Sequence, residues 1–243
     1  MKSLYPWLLA VALSFPGAAI AAEPASIDVF LSADVTVDAQ GRVQSLQWSE
    51  AQGLRALVAQ RIDATVRGWQ FEPGKINGIP TETRTGLSVR VVASDAPDGD
   101  VRLRFAQART GPAKVMLVPP RYPFSASKSG VSAKFVVTVD VAEDGSVSLF
   151  DSTFLGNRGE RGRAALQAAV EAAVQEWRFV PETVAGHPVT TRLRIPVEFC
   201  LPHSDWCRQE TMSRNAGLDV PAGTPVALDS AVQLKTDILA QQI

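Results

Sequence analysis

Trp177-Arg178-Phe179-Val180-Pro181, followed by Gly186-His187-Pro188, repeats an earlier stretch of the chain, Trp69-Gln70-Phe71-Glu72-Pro73 with Gly78-Ile79-Pro80. Trp, Phe, Pro, Gly and Pro keep one spacing in both copies, and so many matches at a single offset mark a duplicated unit. The likeness continues on both sides. Upstream, Val35-Thr36-Val37 with Gly41 and Val43 matches Val139-Asp140-Val141 with Gly145 and Val147 at a slightly smaller offset, so the second copy carries a short insertion. It falls in residues 154–162, a Gly- and charge-rich stretch whose solvated backbone tolerates extra residues. Downstream, Thr83-Arg84 matches Thr191-Arg192, and Leu87-Ser88-Val89 matches Ile195-Pro196-Val197.

Each copy reads as hairpin, helix and third strand. Residues 27–37 alternate and are rich in branched side chains, the turn at 38–41 ends in Gly41, and 43–48 return; residues 133–141, Gly145 and 147–150 repeat the scheme. Leu166, Val170, Val174 and Trp177 recur at helical steps with Gln167, Glu171 and Gln175 opposite them, which predicts an amphipathic helix with its apolar stripe on the sheet. Leu54, Val58, Ile62, Val66 and Trp69 trace the weaker counterpart. Pro73 and Pro181 stop the helices soon after each Trp. The Trp-x-Phe-x-Pro motif is therefore read as core packing, since burying such side chains stabilises a domain by about 3–5 kcal/mol each.

The third strand of copy two, 191–199, contains Pro196, which has no N–H to give to a ladder and so belongs on a sheet edge with that position outward. Residues 101–105 alternate as well and are placed to form a hairpin with the third strand of copy one. The expected fold class is α+β: two tandem small domains, each a three-stranded antiparallel sheet (hairpin plus edge strand) packed on one or two helices.

The chain of 243 residues opens with Lys2, an apolar run interrupted by Pro16-Gly17, and small residues before Glu23, which predicts a secretory signal peptide over 1–22. The run is shorter than the ~20 residues a spanning helix needs. The remaining units are expected at 23–108, 109–200 and 201–243, the last a disulfide loop and tail with short elements near Val226-Ala227-Leu228 and Val232-Gln233-Leu234. Cys200 and Cys207 stand alone, and in an exported chain they are expected to pair.

A formal net charge of -1 gives no reason to expect nucleic acid or anionic lipid as a partner. His187 and His203 lack an accompanying nucleophile or metal-ligand spacing, and Glu143-Asp144 lacks the alternating oxygens of a calcium loop, so neither an enzyme nor a metal or cofactor is expected. Arg158, Arg161 and Arg163 read as a solvated charge run.

Pro120-Arg121-Tyr122-Pro123, Gly130, residues 134–140 with Asp144-Gly145, Trp177-Arg178-Phe179-Val180-Pro181, Gly186-His187-Pro188 and Pro196-Val197-Glu198-Phe199 together resemble the C-terminal domain of the TonB family, periplasmic energy transducers of Gram-negative bacteria. The resemblance covers residues 118–199; copy one shares the Trp and Gly-x-Pro motifs but has no Tyr-Pro element before its hairpin. It implies a periplasmic location and binding of a short segment of an envelope protein, such as a TonB-dependent outer-membrane transporter, as an added strand. The recognition residues it implies are Arg121, Tyr122, Pro123, Arg192, Arg194, Val197 and Phe199. With a leader that is removed and a first domain that starts at once, the expectation is a non-enzymatic adaptor rather than a force-transmitting rod. The alternatives are an envelope scaffold whose repeats pair with each other or form a homodimer, and a cell-wall-associated adaptor.

Overall fold

The structure, a computed structural model, describes residues 26–49, 56–95, 101–202, 204, 205, 207, 218 and 220–239. The expected leader, Leu54 and His203 lie outside the described residues. In chain order the elements are β1 (Ser26–Val37), β2 (Val43–Trp48), α1 (Ala56–Arg67), β3 (Phe71–Glu72), β4 (Lys75–Ile76), β5 (Ile79–Pro80), β6 (Thr83–Asp95) and β7 (Val101–Gly111). They continue with β8 (Ala113–Met116), α2 (Phe124–Lys128), β9 (Ala133–Val141), β10 (Val147–Glu160), α3 (Arg163–Glu176), β11 (Arg178–Val180), β12 (Glu182–Val184), β13 (His187–Val189), β14 (Thr191–Phe199), β15 (Val226–Ala227) and β16 (Gln233–Leu234). Strands dominate, the sheets are open, and the class is α+β.

The alternating runs form antiparallel hairpins, β1 with β2 and β9 with β10. In both, the turn glycine docks on the Trp-x-Phe segment. The Phe71 N–H donates to Gly41 O at 2.8 Å, and the Phe179 N–H to Gly145 O at 3.1 Å. Gly41 and Gly145 have φ of 81° and 80°, and a Cβ there would lie 2.0 Å and 2.1 Å from the carbonyl oxygens of Phe71 and Phe179. Only glycine satisfies both the left-handed backbone and this approach. The two sequence motifs are thus halves of one contact.

The helical stripes are buried as the spacing predicts. Ile62 and Val66 of α1 join Trp69, Phe71, Val35, Leu87 and Phe105 in one core, while Leu166, Val170 and Val174 of α3 join Trp177, Phe179, Phe135, Ile195 and Phe199 in a second. Trp69 meets Phe105 edge-on at 4.9 Å between ring centroids. Phe105 reaches that core from β7, which pairs with β6 along Gly86–Asp95 as the alternation at 101–105 predicts.

The sheets are larger than the expected three strands. The first runs β13-β12-β6-β1-β2 with β7 also on β6, and the second runs β10-β9-β14-β15. Long-range additions explain the difference. The β12–β13 hairpin lies in the second half of the chain but pairs Thr183 with Arg84 and Val184 with Thr83 of the first.

The tail also joins both sheets. β15 pairs with β14, and β16 pairs with β3, while Val232 and Ile238 enter the core around Trp69. In the second half β11 is paired by β8, which precedes the hairpin. In the first half the corresponding strand β3 receives β16, from the opposite end of the chain. The copy that lacks a Tyr-Pro lead-in is closed by the tail instead.

Candidate functional site

The strand that the sequence marks for recognition, β14, lies between β9 and residues 223–229. Its alternate residues Arg192, Arg194 and Pro196 turn their backbone groups away from β9. The Gly223 N–H donates to Pro196 O at 2.7 Å, the Leu228 N–H to Arg192 O at 2.9 Å, and the Arg192 N–H to Asp229 Oδ1 at 2.7 Å. Between these, Leu193 and Arg194 are in register with Ala227 and Val226. Pro196 faces outward as its missing donor requires. The edge is therefore occupied by a two-residue strand and a cap at each end.

The implied recognition residues divide by where they point. Arg121 and Arg194 are exposed, and Pro123 is half-buried just before α2. The Tyr122 ring meets Phe199 edge-on at 5.4 Å, and its hydroxyl donates to Val131 O. Burial pushes the Tyr122 phenol above its ordinary pKa. Val197 and Phe199 point into the core, so their side chains shape the strand from beneath. Arg192 is held from three sides. Its guanidinium bonds both Asp140 oxygens, at 2.7 and 2.9 Å, and lies 3.5 Å over the Phe150 ring. The Tyr-Pro element and Arg192 thus position β14, leaving Arg121 and Arg194 as the exposed cations of the set.

The sequence did not single out Gly223, Val226 or Asp229, because the tail segment has no repeat partner and no sustained period. It also passed over Glu182. This carboxylate is fully buried and accepts from Thr85 Oγ1 at 2.6 Å, Thr191 Oγ1 at 3.0 Å, Ser230 Oγ at 2.7 Å and the Ala231 N–H at 3.1 Å. A buried charge is tolerable only when its lone pairs are matched in this way. The donors come from β6, β14 and the tail, so one side chain ties three segments together. A signal was present: copy one has Gly74 where copy two has Glu182. A Cβ at Gly74 would lie 2.7 Å from Val184 Cγ2. One copy supplies the clamp and the other the space.

No group of three or more metal-ligating side chains occurs among the described residues. His187 stands exposed in β13. Cys200 and Cys207 are bonded, as their isolation predicts. Among the described residues no helix is long and apolar enough to cross a membrane.

Residues 118–201 match the family model for the C-terminal part of the Gram-negative bacterial TonB protein. Two curated relatives carry the name Protein TonB, from Xanthomonas campestris pv. campestris strains B100 and ATCC 33913. Each is 35% identical over 83 residues, which is 34% of this chain and 35% of the relative. The chain therefore spans about a third of the length of the relatives it matches. With Trp177, Tyr122, Gly145 and the third strand arranged as described, residues 118–201 form a domain of the TonB C-terminal family.

Proposed function

We propose that the chain is a non-enzymatic adaptor of the bacterial envelope, exported to the periplasm, that takes up an extended segment of another envelope protein along β14. It consists of two tandem units, 23–108 and 109–200, followed by the tail. A TonB-dependent outer-membrane transporter is the kind of partner the family resemblance suggests. The observation that carries the reading is the tail on β14. Residues 223–229 satisfy the outward groups of Arg192, Arg194 and Pro196 as an incoming strand would, which supports strand addition there. Few bonds hold this resident strand, so a longer peptide with a continuous ladder competes with it.

The test is a titration of a synthetic peptide from the N-terminal segment of a TonB-dependent transporter, followed by amide NMR. Shifts confined to 191–199 and 223–229, with several-fold tighter binding after Val226→Asp loosens β15, support the proposal. Absence of shifts in both proteins overturns it in favour of a second reading.

That reading is a scaffold. The Glu182 cluster and the β12–β6 pairing favour it, because both join the halves of the chain permanently. Here the tail is part of the structure rather than a placeholder, and Val226→Asp lowers stability without creating a peptide site.

A further inference from the structure

The covered edge of the second sheet draws attention to the opposite one, β10. Among the described residues β10 pairs with β9 alone. Ala133, Phe135 and Val137 of β9 turn their backbone groups toward β14. Their neighbours across the other ladder, Gly156, Phe154 and Ser152, therefore aim their N–H and C=O groups outward. The Asn157 N–H, one position further, points back to Ser132 O at 3.0 Å, as this alternation requires. An edge of this length attracts another strand unless it is blocked.

Helix α3 runs antiparallel beside this edge. The Ser152 hydroxyl bonds Gln167 at 2.8 Å, and Arg163 lies 5.7 Å over Phe154. Between strand and helix is an open groove of about 510 Å³, lined by Asp151, Ser152, Glu160, Arg163, Ala164 and Gln167. Ala164, Ala168 and Ala172 are the exposed small residues of α3, which lets a neighbour approach closely.

Charge names the neighbour. One end of the groove holds Asp151 and Glu171, both exposed; the other holds exposed Arg158 and Arg161. A strand of the same sequence laid antiparallel has the reverse polarity, so each acidic end meets a basic end. On the outer sheet face Leu155 is 44% exposed near the middle of this stretch and would be covered by the same arrangement. We propose that β10 and α3 form a two-fold interface with a second copy of this chain, β10 pairing with its mate in one continuous sheet. An isologous contact of this kind is the commonest route to a closed dimer.

The consequence for function is bivalence. The joined sheet places a β14 edge at each far end, so two partner segments could be held by one assembly, with avidity but without new contacts. The dimer does not depend on whether β14 takes a peptide.

Sedimentation velocity on the full chain over a range of micromolar concentrations tests the inference. The wild type is expected to dimerise, and Ser152→Pro, which removes an outward donor and blocks the edge, to remain monomeric. Asp151→Arg with Glu171→Arg, and separately Arg158→Glu with Arg161→Glu, should each weaken self-association by at least about tenfold. Mixing the two charge variants should restore a dimer, which also shows that both are folded. A wild type that stays monomeric, a dimer indifferent to all three changes, or charge variants that do not recover on mixing would each overturn it.

Discussion

The two third strands began as counterparts and ended in different situations. β6 is bonded on both sides: β1 runs along its whole length, β7 covers Gly86–Asp95, and β12 takes Thr83 and Arg84. β14 has β9 along its whole length but only a two-residue strand with flanking bonds on its other side. Duplicated units need not duplicate exposure, since what covers an edge is set by segments far away in the chain. The first unit is sealed into the body of the protein, and the second keeps an edge that another strand could contest.

Removing the shared core should give the largest effect and measure how independent the halves are. Trp69→Ala and Trp177→Ala should each cost about 3–5 kcal/mol, read by urea denaturation, because both side chains are almost fully buried. If the halves behave as one cooperative body, either change moves a single transition; two transitions would show that they unfold separately.

Glu182→Ala should follow, at about 2–3 kcal/mol, since it strands buried hydroxyls of Thr85 and Thr191. Hydrogen exchange should quicken in both halves at once, at β6 and at β14. A change confined to one half would show that the clamp does not couple them.

Val232→Ala, with a fully buried side chain in the tail, should cost about 1–2 kcal/mol. It should loosen the first unit, at β3 and α1, rather than the adjacent second unit. Exchange that quickens only in the second would contradict the closing role of β16.

The smallest effect is electrostatic. Glu72 is hydrogen-bonded first by Lys235 and then by Lys75, and these hold its carboxyl at about 2 against an ordinary 4.5. A depressed carboxylate pKa contributes stability that is present above the unfolded value and lost as pH falls through the folded one. The contact between β16 and β3 should therefore weaken between about pH 4.5 and pH 2, and in high salt because the pair is exposed. Far-UV melts of the wild type and Lys235→Ala should converge over that acid range.

Much of the fold was legible where one contact lies within one unit. The turn glycines, the strand alternation and the helical stripes have short periods, and each was found where the residues indicated. The recognition set was legible only in part. Tyr122, Val197 and Phe199 carry the right residue types at the right positions, but their side chains pack rather than project. The tail was unreadable for a physical reason: Val226-Ala227 and Gln233-Leu234 are dipeptides, too short to express a period, and their partners lie at Leu193, Arg194, Phe71 and Glu72.

By itself, then, the sequence determined the repeated unit, because Trp-x-Phe-x-Pro and the hairpin glycine are satisfied within a copy by steric rules that admit few residues. Tertiary structure alone decided which edges are covered, how Glu182 is satisfied, and that the tail completes the first unit. These outcomes depend on hydrogen-bonding groups that nearly every residue carries, so their choice of partner is set by where the packed cores bring the backbone and not by residue type.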